Sequence, residues 1–176
     1  MDLEAKQAFA KRFKSCDPKV QDMAEAAGYR NLEERIQSGE SIKAQASGTL
    51  QVLMAALAGA VAVGTRVLEP APASPLAWGA AGLSVYLALL CLLLVGCCLR
   101  LVEAPMLFNS PGHLAMPGVS HADLRAGELA NVVERIAQQS VLNTRRARWL
   151  NGVRFAAVLS PLVFLAAAAV AARLAA

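Results

Sequence analysis

The sequence predicts an all-α membrane protein: three transmembrane helices with cytoplasmic helical segments. Of its 176 residues, 56% are hydrophobic and the mean hydropathy is +0.44, more apolar surface than a soluble domain of this length can bury. The apolar residues are mostly Ala, Leu and Val and only 5% are aromatic. That mixture favours helices over the alternating, aromatic-girdled strands of an outer-membrane barrel. The charges, net +4, fall in blocks separated by uncharged stretches, so their position says more than their sum.

Residues 1–43 form the first charged block, with eight basic and eight acidic side chains. Lacking an uninterrupted apolar core, the block is not expected to act as a cleaved signal peptide, so the N-terminus is expected to be retained. Residues 3–14 read as a short basic amphipathic helix. Asp17 and Pro18 supply an N-cap and a proline suited to the first helical position, and Gly28 offers a C-terminal stop, so two small helices are expected before the membrane. From Asn31, a further plausible cap, Leu32 and Ile36 recur at helical spacing. With no proline before the first span, helix and span can form one rod that carries motion from its charged end into the bilayer.

The uncharged stretch 44–65, "AQASGTLQVLMAALAGAVAVGT", has 22 residues, enough for the ~20 that a helix needs to cross hydrocarbon. Residues 66–75 are a short proline-containing loop, and 76–99 are a second span whose amides would be satisfied in lipid only as a helix. The third span is 155–172, 18 residues with Pro161 inside, followed by the tail 173–176. Lys and Arg number eight in 1–43, one in 66–75, seven in 100–154 and one after 172. By the positive-inside rule the N-terminus and 100–154 are cytoplasmic, while the 66–75 loop and the tail are periplasmic.

Within 100–154, "APMLFNSPGHLAMPGVSHAD" reads as irregular, with three prolines and two glycines in 20 residues. From about Ser120 the positions Leu124, Leu129, Val132, Val133, Ile136 and Leu142 follow helical spacing. This amphipathic helix is expected to pack against residues 31–43 and to lead into the third span. It ends in Arg145, Arg146, Arg148, Trp149 and Arg154. Such residues snorkel to anionic headgroups with the tryptophan at the interface; Arg145 and Arg148 also share a helical face and suit bidentate phosphate contact. With no groove-reading motif and no interleaved aromatic platform, nucleic acid is not an expected partner.

Motifs that carry chemistry are sparse. Ser110, His113, Ser120, His121 and Asp123 contain the residue types of a catalytic triad, but there is no G-x-S-x-G elbow and no H-E-x-x-H, and Asp123 fits a helix start. No phosphate-cradling glycine loop follows a strand. Catalytic residues, a metal and a resident cofactor are therefore not expected. Cys16, Cys91, Cys97 and Cys98 contain no C-x-x-C pair and read as small hydrophobes. No Asp, Glu, Lys, Arg or His lies inside the spans, which disfavours a pump or coupled transporter. The small residues Ala55 with Gly59, Ala60 with Gly64, and Gly79 with Gly82 permit close helix approach within one chain or between copies.

Taken together, "NLEERIQSGESIKAQASGTLQVLMAALAGAV", a second span ending near Arg100, and "ELANVVERIAQQSVLNTRRARWLNGVRFAAVL" resemble the transmembrane effectors of bacterial Pycsar antiphage systems, from about Asn31 to Ala172. The resemblance implies a multi-pass inner-membrane protein for antiviral defence by abortive infection. A cyclic pyrimidine nucleotide, cUMP or cCMP, made by a partner pyrimidine nucleotide cyclase, would activate it to impair the membrane as a homo-oligomer. Arg145, Arg146 and Arg148, with Lys43 from the other cytoplasmic helix, are the candidate phosphate ligands. The alternative is an inner-membrane immunity protein that binds and neutralises a toxin.

Overall fold

A computed structural model of the chain describes residues 3–69, 74–100 and 118–175, and among them there are helices and no strands. In chain order these are α1 (Leu3–Lys14), α2 (Pro18–Gly64), a 3₁₀ turn (Thr65–Leu68), α3 (Pro75–Leu94), a π-helical turn (Val95–Leu99), α4 (His121–Val158) and α5 (Ser160–Ala175). Two compact units result: Met1–Ser41 with Val102–Thr144, and Ile42–Leu101 with Arg145–Ala176. Most of the irregular segment read from 104 to 123, with Ser110 and His113, lies outside the described residues, as do residues 70–73 of the 66–75 loop.

In the first unit, α1 ends where Ser15 and Cys16 turn back on the carbonyls of Arg12 and Phe13. The Gln21 amide closes that end by donating to the carbonyls of Phe13 at 3.1 Å and Cys16 at 3.0 Å, which satisfies acceptors left over by the last helical turn. The Asp17 carboxylate accepts from the Lys19 N–H at 2.8 Å, and Pro18 follows it at the first helical position, as the Asp-Pro pair predicts. Ser120 caps α4 in the same way: its hydroxyl accepts from the Asp123 N–H at 3.1 Å and donates to the Asp123 carboxylate.

Gly28 does not stop a helix. α2 runs through it without a break, so the expected pair of small helices is α1 and the start of one 47-residue helix. Gly28 is instead a place of close packing, where an added Cβ would stand 3.0 Å from Leu129 Cδ1 and 3.4 Å from Val132 Cγ1. Asn31 lies within α2 and starts nothing. The unit's core is Phe13, Leu32, Ala126, Leu129 and Val132, with Phe9 stacked on Phe13 at a centroid distance of 6.4 Å. α4 therefore packs on α1 and on α2 from Asp22 onward, a wider contact than the expected 31–43.

In the second unit the core is built from Ala46, Leu53 and Ala60 of α2, from Leu87, Leu90, Cys91 and Leu94 of α3 with Cys98 of the π turn, and from Leu150 and Val153 of α4. Two of the three small-residue pairs serve packing inside the chain. An added Cβ at Gly64 would lie 3.0 Å from the Ala81 backbone, and one at Gly82 would lie 2.8 Å from Ala167 Cβ. Ala55 and Gly59 face outward instead, with Gly59 in open space. Large apolar side chains cover much of the unit's exterior, among them Val52, Leu92, Phe155, Val158 and Leu162, as expected of helices whose solvent is hydrocarbon.

Two helical stretches, Pro18–Leu68 and Pro75–Leu99, are long and apolar enough to cross a membrane. A third forms only if α4 and α5, bent by 46° between Val158 and Ser160, count as one span. The stretch 155–172, read as the third span with Pro161 inside, contains this bend. Pro161 has no N–H for the carbonyl of Ala157 and its ring crowds that carbonyl. The chain adjusts at Leu159, whose N–H bonds Ala156 at 2.9 Å and whose carbonyl accepts from Leu162 and Val163.

Candidate functional site

The arginine run separates by helix geometry. Along α4 the buried positions step alternately by three and four: Leu129, Val132, the half-buried Ile136, Gln139, Asn143, Arg146, Leu150 and Val153. This is the seam of a coiled-coil helix pair. Arg146 occupies a seam position and is only 7% exposed, whereas Arg145 and Arg148 lie off the seam and are exposed. The Arg146 carbonyl accepts from the Cys98 thiol at 3.5 Å. Lys43 is half-buried and falls on the matching seam of α2, which passes through Leu32, Ile36, Gly39, Lys43, Ala46, Leu50, Leu53, Leu57 and Ala60. The four candidate ligands therefore divide into two exposed arginines and two seam residues.

Arg154 has partners that sequence reading missed. Its guanidinium donates to Thr49 Oγ1 at 3.1 Å and to Gln45 Oε1 at 3.3 Å, and the Thr49 hydroxyl donates to the Gln45 carbonyl at 2.9 Å. The signal was present as two polar residues four apart at the start of an uncharged stretch, one helical face with no apolar purpose.

In the first unit, seam positions meet as polar groups. The Asn143 amide donates to the Arg35 carbonyl at 2.7 Å, and the Gln139 amide donates to Asn143 Oδ1 at 3.2 Å. Gln139 Oε1 is buried with no hydrogen-bond partner among the described residues. Gly39 makes room for this pair, since an added Cβ would lie 2.8 Å from Asn143 Oδ1 and 2.9 Å from Gln139 Nε2.

Ion pairs join the helices of this unit. Lys14 meets Asp123, Lys6 meets Glu134, and Arg125 bridges Glu25 (2.8 and 2.9 Å) and Asp22 (2.7 Å). Hydrogen bonds from Lys14 and Ser120 hold the Asp123 carboxyl below its usual range, and Lys6 does the same for Glu134. Ser120 and Asp123, weighed above as triad members, are thus engaged in starting α4 and in the Lys14 pair.

Beside the Arg125 bridge is a cavity of about 280 Å³ lined by Glu25 and Tyr29 of α2 and by His121, Leu124, Arg125, Glu128 and Leu129 of α4. Burial, reinforced by the negative charges of Glu128 and Glu25, pushes the Tyr29 hydroxyl above its ordinary range. The second unit carries a larger apolar groove of about 910 Å³ between α3 and α5, with Trp78, Gly82 and Val85 on one wall and Val163, Ala167 and Val170 on the other. Neither of these two cavities is lined by Arg145, Arg146, Arg148 or Lys43. Among the described residues no three His, Cys, Asp or Glu side chains are grouped to hold a metal ion. Comparison with protein-family profiles, with curated proteins and with solved structures finds no match to this chain.

Proposed function

We propose that the chain is an inner-membrane effector of a bacterial antiphage system, activated by a cyclic pyrimidine nucleotide from a partner cyclase and acting by impairing the membrane. The supporting observation is the build of α2 and α4. Each begins among charged, ion-paired residues; α2 continues without a break into an apolar stretch, and α4 leads into the apolar α5 across a 46° bend, so a rearrangement at the charged end has helices along which to act. A ligand that binds one arrangement more tightly shifts the population toward it. Moving from ~1% to ~99% active requires a preference of about 5.5 kcal/mol, within reach when several protomers each contribute; hence the proposed active form is a homo-oligomer.

In this reading the N-terminus and the first unit face the cytoplasm. Arg145 and Arg148, exposed just ahead of the apolar part of α4, meet phosphate oxygens of headgroups or of the nucleotide. Co-expression with a pyrimidine nucleotide cyclase tests the proposal. Membrane depolarisation, read with a potential-sensitive dye, and growth arrest are expected only when chain and active cyclase are both present. Full potential and normal growth with both proteins made would overturn it.

A further inference from the structure

We propose that the buried amides of Gln139 and Asn143, seated over Gly39, form a register key: they fix where α4 sits along α2 in the first unit and lower its stability in doing so, a role independent of the effector reading above. The neighbouring layers of this seam are aliphatic, with Leu32 and Ile36 on α2 and Leu129, Val132 and Ile136 on α4. Such layers resemble one another, so they hold two helices together without deciding which layer meets which. A buried amide in a helix-pair seam does decide it.

Gln139 and Asn143 are 4% and 7% exposed, and amides so deeply buried need partners. Asn143 finds its partner across the seam in the Arg35 carbonyl, at 2.7 Å. This is a backbone acceptor inside α2, with a second lone pair to offer a side chain. Gly39 gives access to it, since a Cβ there would stand 2.8 Å from Asn143 Oδ1 and 2.9 Å from Gln139 Nε2. Leu32 and Ile36, the seam positions before Gly39, carry side chains where Gly39 has none. A shift of one turn, about 5.4 Å, therefore takes both amides off the notch and leaves them buried without the Arg35 bond. Even in register, Gln139 Oε1 is buried with no hydrogen-bond partner among the described residues, and a buried acceptor left unanswered is destabilising. Apolar groups of the same shape in place of a buried polar set are neutral to stabilising. What the amides add is the choice of one axial setting.

Disulfide formation in the detergent-purified full chain, mapped by mass spectrometry, reads the register. Gly28 lies against Leu129 and Val132, so Gly28→Cys is combined in turn with Val132→Cys and with Arg125→Cys or Ile136→Cys, about one turn to either side of that contact. With the native layer the 28–132 disulfide should form about 10-fold faster than either alternative, the discrimination expected from one buried amide losing its partner. The double variant Gln139→Met with Asn143→Leu keeps the volume and removes the amides. It should bring the three rates toward equality while its thermal melt stays at or above that of the native chain. Gly39→Ala, which keeps the amides and closes the notch, should weaken the preference too. The proposal is overturned by a native layer that shows no preference, by a double variant that keeps the preference, melts lower or fails to fold, or by an unchanged preference in Gly39→Ala.

Discussion

Where the first unit joins its helices through ion pairs, Lys6 to Glu134, Lys14 to Asp123 and Arg125 to Asp22 and Glu25, the second closes its helices on alanine, glycine and leucine. Cross-helix polar contacts among the described residues of the second unit include hydrogen bonds to backbone or uncharged partners: Tyr86 to the Ala156 carbonyl at 2.8 Å, Cys98 to the Arg146 carbonyl, and Arg154 to Thr49 and Gln45. The difference follows the solvent each region suits. Water tolerates charged rims at little net cost or gain, whereas hydrocarbon rewards close van der Waals packing and leaves no polar group unanswered without penalty.

The widest separation between the units should come from Leu32→Ala. Leu32 is fully buried in the first unit's core, and its truncation is expected to cost about 2–5 kcal/mol. Hydrogen exchange in detergent should show protection falling across 3–41 and 121–144 while 75–99 keeps its own; equal loss in both regions would erase the distinction between units. Next comes Gly39→Ala, which forces a methyl group against Asn143 and Gln139 at about 1–3 kcal/mol. The contrasting variant Gly59→Ala, in open space, should stabilise by up to about 1 kcal/mol through helix propensity; thermal melts that rank the two the other way would break the packing assignment.

Acid should produce the smallest effect and confine it to the first unit. Asp123 and Glu134 are held below the ordinary carboxylate range by their lysines. Their contribution is therefore complete above the unfolded values of about 4 and is lost as pH falls through the lowered folded values. Circular dichroism with exchange mapping from neutral pH downward should find 3–41 and 121–144 loosening first; a second unit that yields first would sink this account.

Much of the fold was legible because the signals were local. Asp17-Pro18 and Ser120 announce helix starts through their own side chains, and uncharged runs of the right length mark apolar helices by composition alone. Gly28 misled because a glycine that ends a helix and a glycine that lets two helices touch look alike in sequence; only Leu129 and Val132, about a hundred positions away, tell them apart. The arginines were harder for the same reason. Arg145, Arg146 and Arg148 are chemically equivalent in a list of residues, and the three-four stepping from Leu129 to Val153 is what turns Arg146 inward. The cavity at Tyr29 was illegible because it lies ahead of the 31–43 stretch where the two helices were expected to pair.

The regular stepping on α2 has a mechanical corollary. An untwisted helix has 3.6 residues per turn, so buried positions recurring every seven, from Leu32 through Gly39, Ala46, Leu53 and Ala60, drift by about 20° per repeat and impose a left-handed winding. The phase of that winding is shared along the whole run: a single residue inserted between Gly39 and Ala46 would swing every later seam position through about 100°. The sequence thus fixes an angular key, and rotation about the helix axis is the movement to which such a key is most sensitive.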